Sequence, residues 1–265
     1  MLVVNSLTVE TEQRCLLDNV SFHLAKGESL CIVGESGSGK TTLLKALLGL
    51  MPISQGYIDF NSLAGHFQRT STQSTIGLPS VSWVMQNPLA ALNPLQDVGV
   101  SITEGLYSTR LGKAQQQVRL EEAFSQVQLS MSLAQRTPTE LSIGQAQRVC
   151  IARALISRPE LIFFDESLSA LDGVVQKQIG QVIDEIKHSQ GLSYIFVTHD
   201  LGFAKAYADK ILLLKAGKVA AYQSVDAFFN APNSEYAQGL IDAAVMLGAI
   251  EQTPQTIDSL KVRRA

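Results

Sequence analysis

The stretch of the chain with the most definite chemistry is GESGSGKT, Gly34 to Thr41. Two glycines with four residues between them, followed by Lys and Thr, suit a loop whose backbone N–H groups cradle phosphates. In such a loop Gly34, Glu35, Ser36, Gly37, Ser38 and Gly39 lie along the phosphates. Lys40 would neutralise the β- and γ-phosphates, Thr41 would ligate Mg2+, and Thr42 follows in the helix. Further along, LIFFDE sets four apolar residues before Asp165 and Glu166, as expected of a buried parallel strand whose carboxyl end reaches a ligand crevice. Adjacent strand residues face opposite ways, so the two carboxylates can divide the work. Asp165 can orient a Mg2+ shell while Glu166 polarises an attacking water. His199, at the end of SYIFVTH, can touch a γ-phosphate, and the amide of Gln86 in WVMQNP can reach both metal and water. Taken singly, each of these residues is ordinary strand-end or turn chemistry. The phosphate loop in the same chain turns them into a candidate site.

The elements that must hold these groups follow from periodicity. SLCIV reads as a strand before the loop and KTTLLKALLGL as an apolar-periodic helix after it, so phosphates would meet a helix N-terminus. LVVNSLTVE, DNVSFHLAKGES and GYIDF read as half-buried strands. HFQRTSTQSTIGLPS, polar and aperiodic, reads as a surface loop. From DVGVSITEGL to LSMSLAQRTPTE the spacing is helical, with Val118, Ala123, Phe124 and Val127 expected on one face. ELIFFDE, SYIFVTHD and KILLLKAG are strand-length apolar runs alternating with helices, the pattern of a parallel sheet covered on both faces. No pattern places the tail beyond Phe228.

A second helix start stands out in LSIGQAQRVCIARAL. Its helix leads through Pro159 into the Asp165 strand, so its N-terminus, with Ser142 and Gly144, returns to the edge where that strand ends. It lacks the Lys and Thr needed to hold a nucleotide by itself, which suits a donor cluster that completes a site on another copy. Ile143 is the anomaly, a β-branched residue where an anion would be crowded.

The 265 residues suffice for one large α/β domain with attached subdomains. A net charge of -3 gives no footprint for nucleic acid, which is not expected as a partner. The 3 cysteines, Cys15, Cys31 and Cys150, form no Cys-x-x-Cys pair, which argues against a disulfide framework and against zinc or iron–sulfur sites. With no apolar run of bilayer length and no signal-peptide pattern, any membrane role is expected to be peripheral.

In order along the chain, GESGSGKT, Gln86, LSIGQAQRV, LIFFDES, SALD and VTHD resemble the ATP-binding subunit of ABC transporters over about residues 1–225. The resemblance implies an α/β fold, a P-loop NTPase (ABC ATPase) core with an antiparallel β-subdomain and a helical subdomain. It implies an ATPase domain over 1–230, with its helical subdomain about 87–157, and a short C-terminal extension over 231–265. ATP and Mg2+ would be the cofactors. The site would comprise Thr41, Gln86 and Asp165 around the metal, Glu166 as general base, and His199 as the switch histidine. Two such subunits would sandwich ATP head to tail, with Ser142, Gly144, Gln145 and Asp172 of one facing the phosphate loop of the other. Partners would be transmembrane permease subunits, a second ATPase subunit, alike or different, and indirectly a solute-binding protein, with the chain peripheral on the cytoplasmic face of the inner membrane. MQNPLAALNP and FFNAPNSEYAQGLIDAA further resemble the peptide/nickel importer branch. The chain departs from the family at Ile143, where the signature turn usually has Gly, at Thr11, where an adenine-stacking aromatic is usual, and at Ser167, where Pro is common. The first two motivate an alternative, an ATP-sensing subunit with little turnover. A soluble, non-transport ABC ATPase is a third reading.

Overall fold

The structure is a computed structural model that describes residues 1–62, 65–70, 80–107, 109–169 and 171–250. The strands β1 (Leu2–Glu10), β2 (Cys15–Leu24) and β3 (Ser29–Val33) lead to helix α1 (Lys40–Leu47), followed by β4 (Gln55–Ser62), β5 (Gly65–Thr70) and β6 (Val81–Val84). The helices α2 (Pro88–Ala91), α3 (Val98–Thr103), α4 (Lys113–Gln126) and α5 (Ile143–Leu155) follow. Then come β7 (Leu161–Asp165), α6 (Gly173–Gln190), β8 (Ser193–Val197), α7 (Leu201–Tyr207), β9 (Lys210–Lys215), β10 (Lys218–Ser224), α8 (Val225–Asn230) and α9 (Glu235–Met246). Among the described residues one compact unit holds 1–61, 65–70 and 196–250, and the other 62 and 80–195.

In the first unit β2, β1, β4 and β5 form an antiparallel sheet in that order. Alternation does the sorting: along β2, Leu17, Val20, Phe22 and Leu24 are buried while Asn19, Ser21 and His23 face out. Beside it β3 and β9 run parallel, with β10 antiparallel on the far side of β9. β3 is buried along its whole length, which its unbroken SLCIV requires. The Ser29 hydroxyl donates to Asp209 and the Ser29 N–H to the same carboxylate, tying the start of β3 to the loop before β9.

The second unit sets β7 and β6 side by side and parallel, with the first residues of β8 (193–195) beside β7, under a helical block. There α5 packs against α2, α3, α4 and β6. Its buried stripe of Ala146, Val149, Cys150 and Ala154 is the face that IGQAQRVCIARAL predicts.

Two expectations need correction, and the tail left unplaced takes a definite form. His66–Thr70, read as loop, is the strand β5, and its buried residue is not apolar: Arg69 donates to the carbonyls of Ala46 and Met51, satisfying the end of α1. The remainder of that loop, 71–79, lies outside the described residues. Val118 is 54% exposed, whereas Leu120, Ala123 and Phe124 carry the buried face of α4. At ~100° per residue Val118 stands roughly 120° from Phe124, on the solvent side. The tail is helical: Ser224 and Ser234 cap α8 and α9, each accepting from an alanine N–H one turn on. Among the described residues no helix is long and apolar enough to cross a membrane.

Candidate functional site

The first unit holds the phosphate loop. β3 delivers the chain at Gly34, whose φ of 149° and lack of a side chain are both needed: a Cβ there would stand 2.3 Å from the Leu214 carbonyl oxygen and 2.7 Å from Ser38 Oγ. Gly39, at φ 106°, precedes α1 without a side-chain cap, and a Cβ on it would meet Leu17 at 2.8 Å. The loop therefore lies against β2 and β9, and the uncapped first turn of α1 points its N–H groups into it. Lys40, 6% exposed, folds back so that Nζ donates to the carbonyls of Gly34 at 2.7 Å and Glu35 at 2.9 Å. The Ser38 hydroxyl is buried with no hydrogen-bond partner among the described residues. A held ammonium, an unsatisfied buried hydroxyl and an uncapped helix start in a cradle that a Cβ would fill fit a polyphosphate.

His199 follows β8 in the same unit, on the rim of a cleft of about 450 Å3 that Gly34, Glu35 and Asp200 share with Leu240 and Ala244 of α9. The imidazole is exposed, and next to it Asp200 caps α7 by accepting from the Phe203 N–H. α9 is the feature that sequence reasoning missed here. Its signal was available in SEYAQGLIDAAVM, where Ala237, Ile241 and Ala244 recur at helical spacing after a capping Ser234. Tyr236 of α9 also lies close to the loop: burial first, then the carboxylate of Glu35, pushes its phenol above the ordinary tyrosine value.

Thr11, the expected adenine position, spends its hydroxyl on the turn between β1 and β2, donating to the Arg14 carbonyl and accepting from the Arg14 N–H. Thr41 is exposed and Thr42 half-buried on the first turn of α1.

The second unit carries the carboxylates. Asp165 ends β7, half-buried, but Glu166 does not continue the strand. Its φ of 46° is left-handed, a conformation that costs a non-glycine residue ~1–3 kcal/mol. The strand alternation expected from LIFFDE therefore does not set its direction. The turn is secured at its carbonyl, which accepts from the N–H and hydroxyl of Ser169. The turned carboxylate meets Gln86, whose Nε2 donates to Glu166 Oε2 at 3.3 Å. Gln86 follows β6, and Asn87 caps α2 just beyond it. Gln86 and Glu166, 80 residues apart in sequence, are thus brought together. Among the described residues no cluster of three or more His, Cys, Asp or Glu gathers for a metal.

The signature turn is a capping box: Ser142 Oγ accepts from the Gln145 N–H at 3.2 Å, and Gln145 Oε1 accepts from the Ser142 N–H at 3.0 Å. The Gln145 amide, expected as a donor to a ligand, is committed to Ser142 in this arrangement. Ile143 has no left-handed φ and opens α5 as an ordinary helical residue, with its side chain 51% exposed. Gly144 serves packing, since a Cβ there would meet Val175 of α6 at 2.9 Å. Asp172 caps α6, accepting from the N–H groups of Val174 and Val175. Two of the cysteines are buried: burial raises the thiol of Cys31, and it pushes that of Cys150 up to about 11 against the pull of Arg153.

Comparison with known proteins agrees with this geometry. Residues 17–169 match the family model described as ABC transporter. The chain is 34% identical over 227 residues to the oligopeptide transport ATP-binding protein OppF of Streptococcus pyogenes serotype M1, covering 85% of this chain and 74% of that protein. It is 36% identical over 231 residues to a putative peptide import ATP-binding protein, BAB2_1053, of Brucella abortus, covering 86% of this chain and 68% of that one. Among solved structures, the ATP-binding cassette MJ0796, described as a dimer in a post-hydrolysis state bound to ADP and Pi, superposes with a TM-score of 0.71 at 26% identity, covering 85% of this chain and 99% of that one. A phosphate loop of this form, the paired Gln86 and Glu166, and these matches lead to one conclusion: the chain belongs to the ABC transporter family, as an ATP-binding, ATP-hydrolysing subunit.

Proposed function

We propose that this chain powers a peptide importer, hydrolysing ATP on the cytoplasmic face of the inner membrane while bound to permease subunits and to a second ATPase subunit. The observation that carries the ATP side is the phosphate loop, where Lys40 is held over the Gly34 and Glu35 carbonyls at the uncapped start of α1. Peptide as the solute is supported by the relatives above, both named for peptide transport or import. Nickel, the other solute expected from the sequence, finds no such support in them.

In this reading the ATPase domain spans 1–230 with its helical subdomain near 87–157, and 231–265 is the extension from which α9 reaches the phosphate-loop cleft. The backbone of Gly34 to Gly39 orients the triphosphate and Lys40 neutralises its β- and γ-oxygens. Thr41, Gln86 and Asp165 would hold Mg2+, which supplies charge neutralisation between the phosphates. Glu166 takes a proton from the attacking water, with Gln86 leaving its carboxylate to do so, and His199 contacts the γ-phosphoryl group. Ser142 and the first turn of α5, with Asp172 nearby, face the nucleotide of the partner subunit in a head-to-tail pair.

The test uses two variants in the assembled transporter. Lys40→Ala is expected to abolish measurable ATP binding, and Glu166→Gln to keep binding while slowing hydrolysis by ~10²–10⁴ and stopping peptide uptake. Normal ATP affinity in the first variant would overturn the loop assignment. Normal hydrolysis and uptake in the second would overturn Glu166 as the base that powers import, and no peptide uptake by the unaltered transporter would overturn the importer reading.

A further inference from the structure

Tyr236 stands on the first turn of α9, and its phenolic oxygen is sealed from solvent with no hydrogen-bond partner among the described residues. A buried hydroxyl left unpaired is uncommon and calls for a reason. Two contacts fix where it lies. Lys215 Nζ sits 4.2 Å from the centre of the Tyr236 ring, and Lys215 follows Leu214, whose carbonyl oxygen would be 2.3 Å from a Cβ on Gly34. Leu240, four residues on and therefore on the same face of α9, lines the cleft that Glu35 and His199 share. The ring is thus held beside the start of the phosphate loop, where Glu35 meets it. Both the carboxylate and the main chain of Glu35 act on the phenol, which stands above the ordinary tyrosine value chiefly through burial, yet neither closes a hydrogen bond with it. α9 is fixed around this contact: Ser234 caps its start, and beyond its end the Ala249 carbonyl leaves no room for a Cβ on Gly202, which would come within 2.6 Å of it.

Glu35 poses a difficulty that the phenol can remove. It is the one acidic residue in GESGSGKT, it is exposed, and it adjoins N–H groups suited to gathering phosphate oxygens. A carboxylate left free beside a triphosphate repels it. We propose that Tyr236 is a positioning residue for nucleotide binding: its hydroxyl donates to the Glu35 carboxylate when the triphosphate enters, and so keeps the loop's negative side chain off the phosphates. Closing that bond takes a rotation of an exposed side chain, with the main chain left where it is. A phenol donating to a carboxylate makes one of the stronger hydrogen bonds, and the Lys215 ammonium over the ring favours negative charge at that place. Asp200, the other carboxylate on the cleft, offers Glu35 no such hold. This role presupposes that the loop binds ATP, and it gives α9 a part in setting how tightly.

The test is Tyr236→Phe in the full chain, which keeps the ring over Lys215 and removes the hydroxyl. Titration with ATP and Mg2+ is expected to show Kd raised about fivefold, the scale of one net hydrogen bond. In a chain that already carries Glu35→Gln, the same substitution is expected to change Kd by less than about twofold, because no charge remains to be held off the phosphates. The melting temperature of the nucleotide-free chain should not fall, since the hydroxyl is unpaired there. An unchanged Kd in Tyr236→Phe overturns the proposal. So does an equal loss of affinity in the Glu35→Gln chain, or a lowered melting temperature, since either would make the hydroxyl a structural group. No ATP binding by the unaltered chain would instead overturn the phosphate-loop reading, and this proposal with it.

Discussion

Replacing Ile143 by Gly separates stability from activity, because the structure predicts opposite signs for the two. Ile143 is the first residue of α5 in ordinary helical conformation, so glycine is not needed there for backbone reasons. With the residue 51% exposed, about half its burial is at stake, and full burial of such a side chain contributes ~1.5–3 kcal/mol. The substitution therefore loses ~1 kcal/mol of burial and ~0.5 kcal/mol from placing Gly in a helix. A loss of ~1.5 kcal/mol lowers the melting temperature by about 3–6 °C in a chain of this size. Activity is expected to move the other way. In the proposed head-to-tail pair this turn would face the partner's nucleotide, and the half-exposed branched side chain would stand where the backbone should approach the γ-phosphate. The capping box leaves the first N–H groups of α5 as the donors still available, so the site is weakened rather than abolished. The assay is ATP turnover by the assembled complex, where Ile143→Gly should give a faster rate from a less stable protein. Disabling Glu166 in this chain should also cost more turnover than disabling the corresponding carboxylate of a partner whose signature turn is ordinary. An unchanged rate together with equal losses from the two carboxylate variants would show that Ile143 is a tolerated substitution.

The phosphate loop offers a contrast between glycines. Gly37 has a left-handed φ of 80° but open space around a Cβ, whereas at Gly34 a Cβ would collide with the Leu214 carbonyl at 2.3 Å. Gly34→Ala should abolish ATP binding measured by titration, while Gly37→Ala, costing only ~1–2 kcal/mol of backbone strain, should retain it with reduced affinity; equal losses would argue that the loop rearranges freely. At the base of the same unit, burial raises the Glu28 carboxyl, but the Ala25 N–H and Lys210 more than offset it, so its value is lowered. A lowered carboxylate contributes stability above its unfolded value and loses it as pH falls through the folded one. Glu28→Gln should accordingly lower the melting temperature at neutral pH, with the difference closing in the acid range.

How much of this could be read from the sequence depends on what each residue does with its surroundings. The phosphate loop was legible because its glycines are required by backbone contacts that no side chain can share: Gly34 against Leu214 and Gly39 against Leu17. The strands β1 to β4 and β7 to β9 were legible because burial selects apolar residues at a period of two or in unbroken runs. β5 was not, because its buried residue is Arg69, held by carbonyls at the end of α1, and a hydropathy pattern cannot register a cation that is buried by hydrogen bonding. At Glu166 the expected alternation fails, because it assumes that the strand continues and a left-handed residue ends it. The same limit applies at Gln147, where a polar letter inside an apolar-periodic helix looks like an exposed position until the fold shows it sealed. The residues read correctly are those that follow the rules of packing. The residues that break those rules are Glu166, in a strained turn where Gln86 donates to it, and Gln147, buried with no hydrogen-bond partner among the described residues.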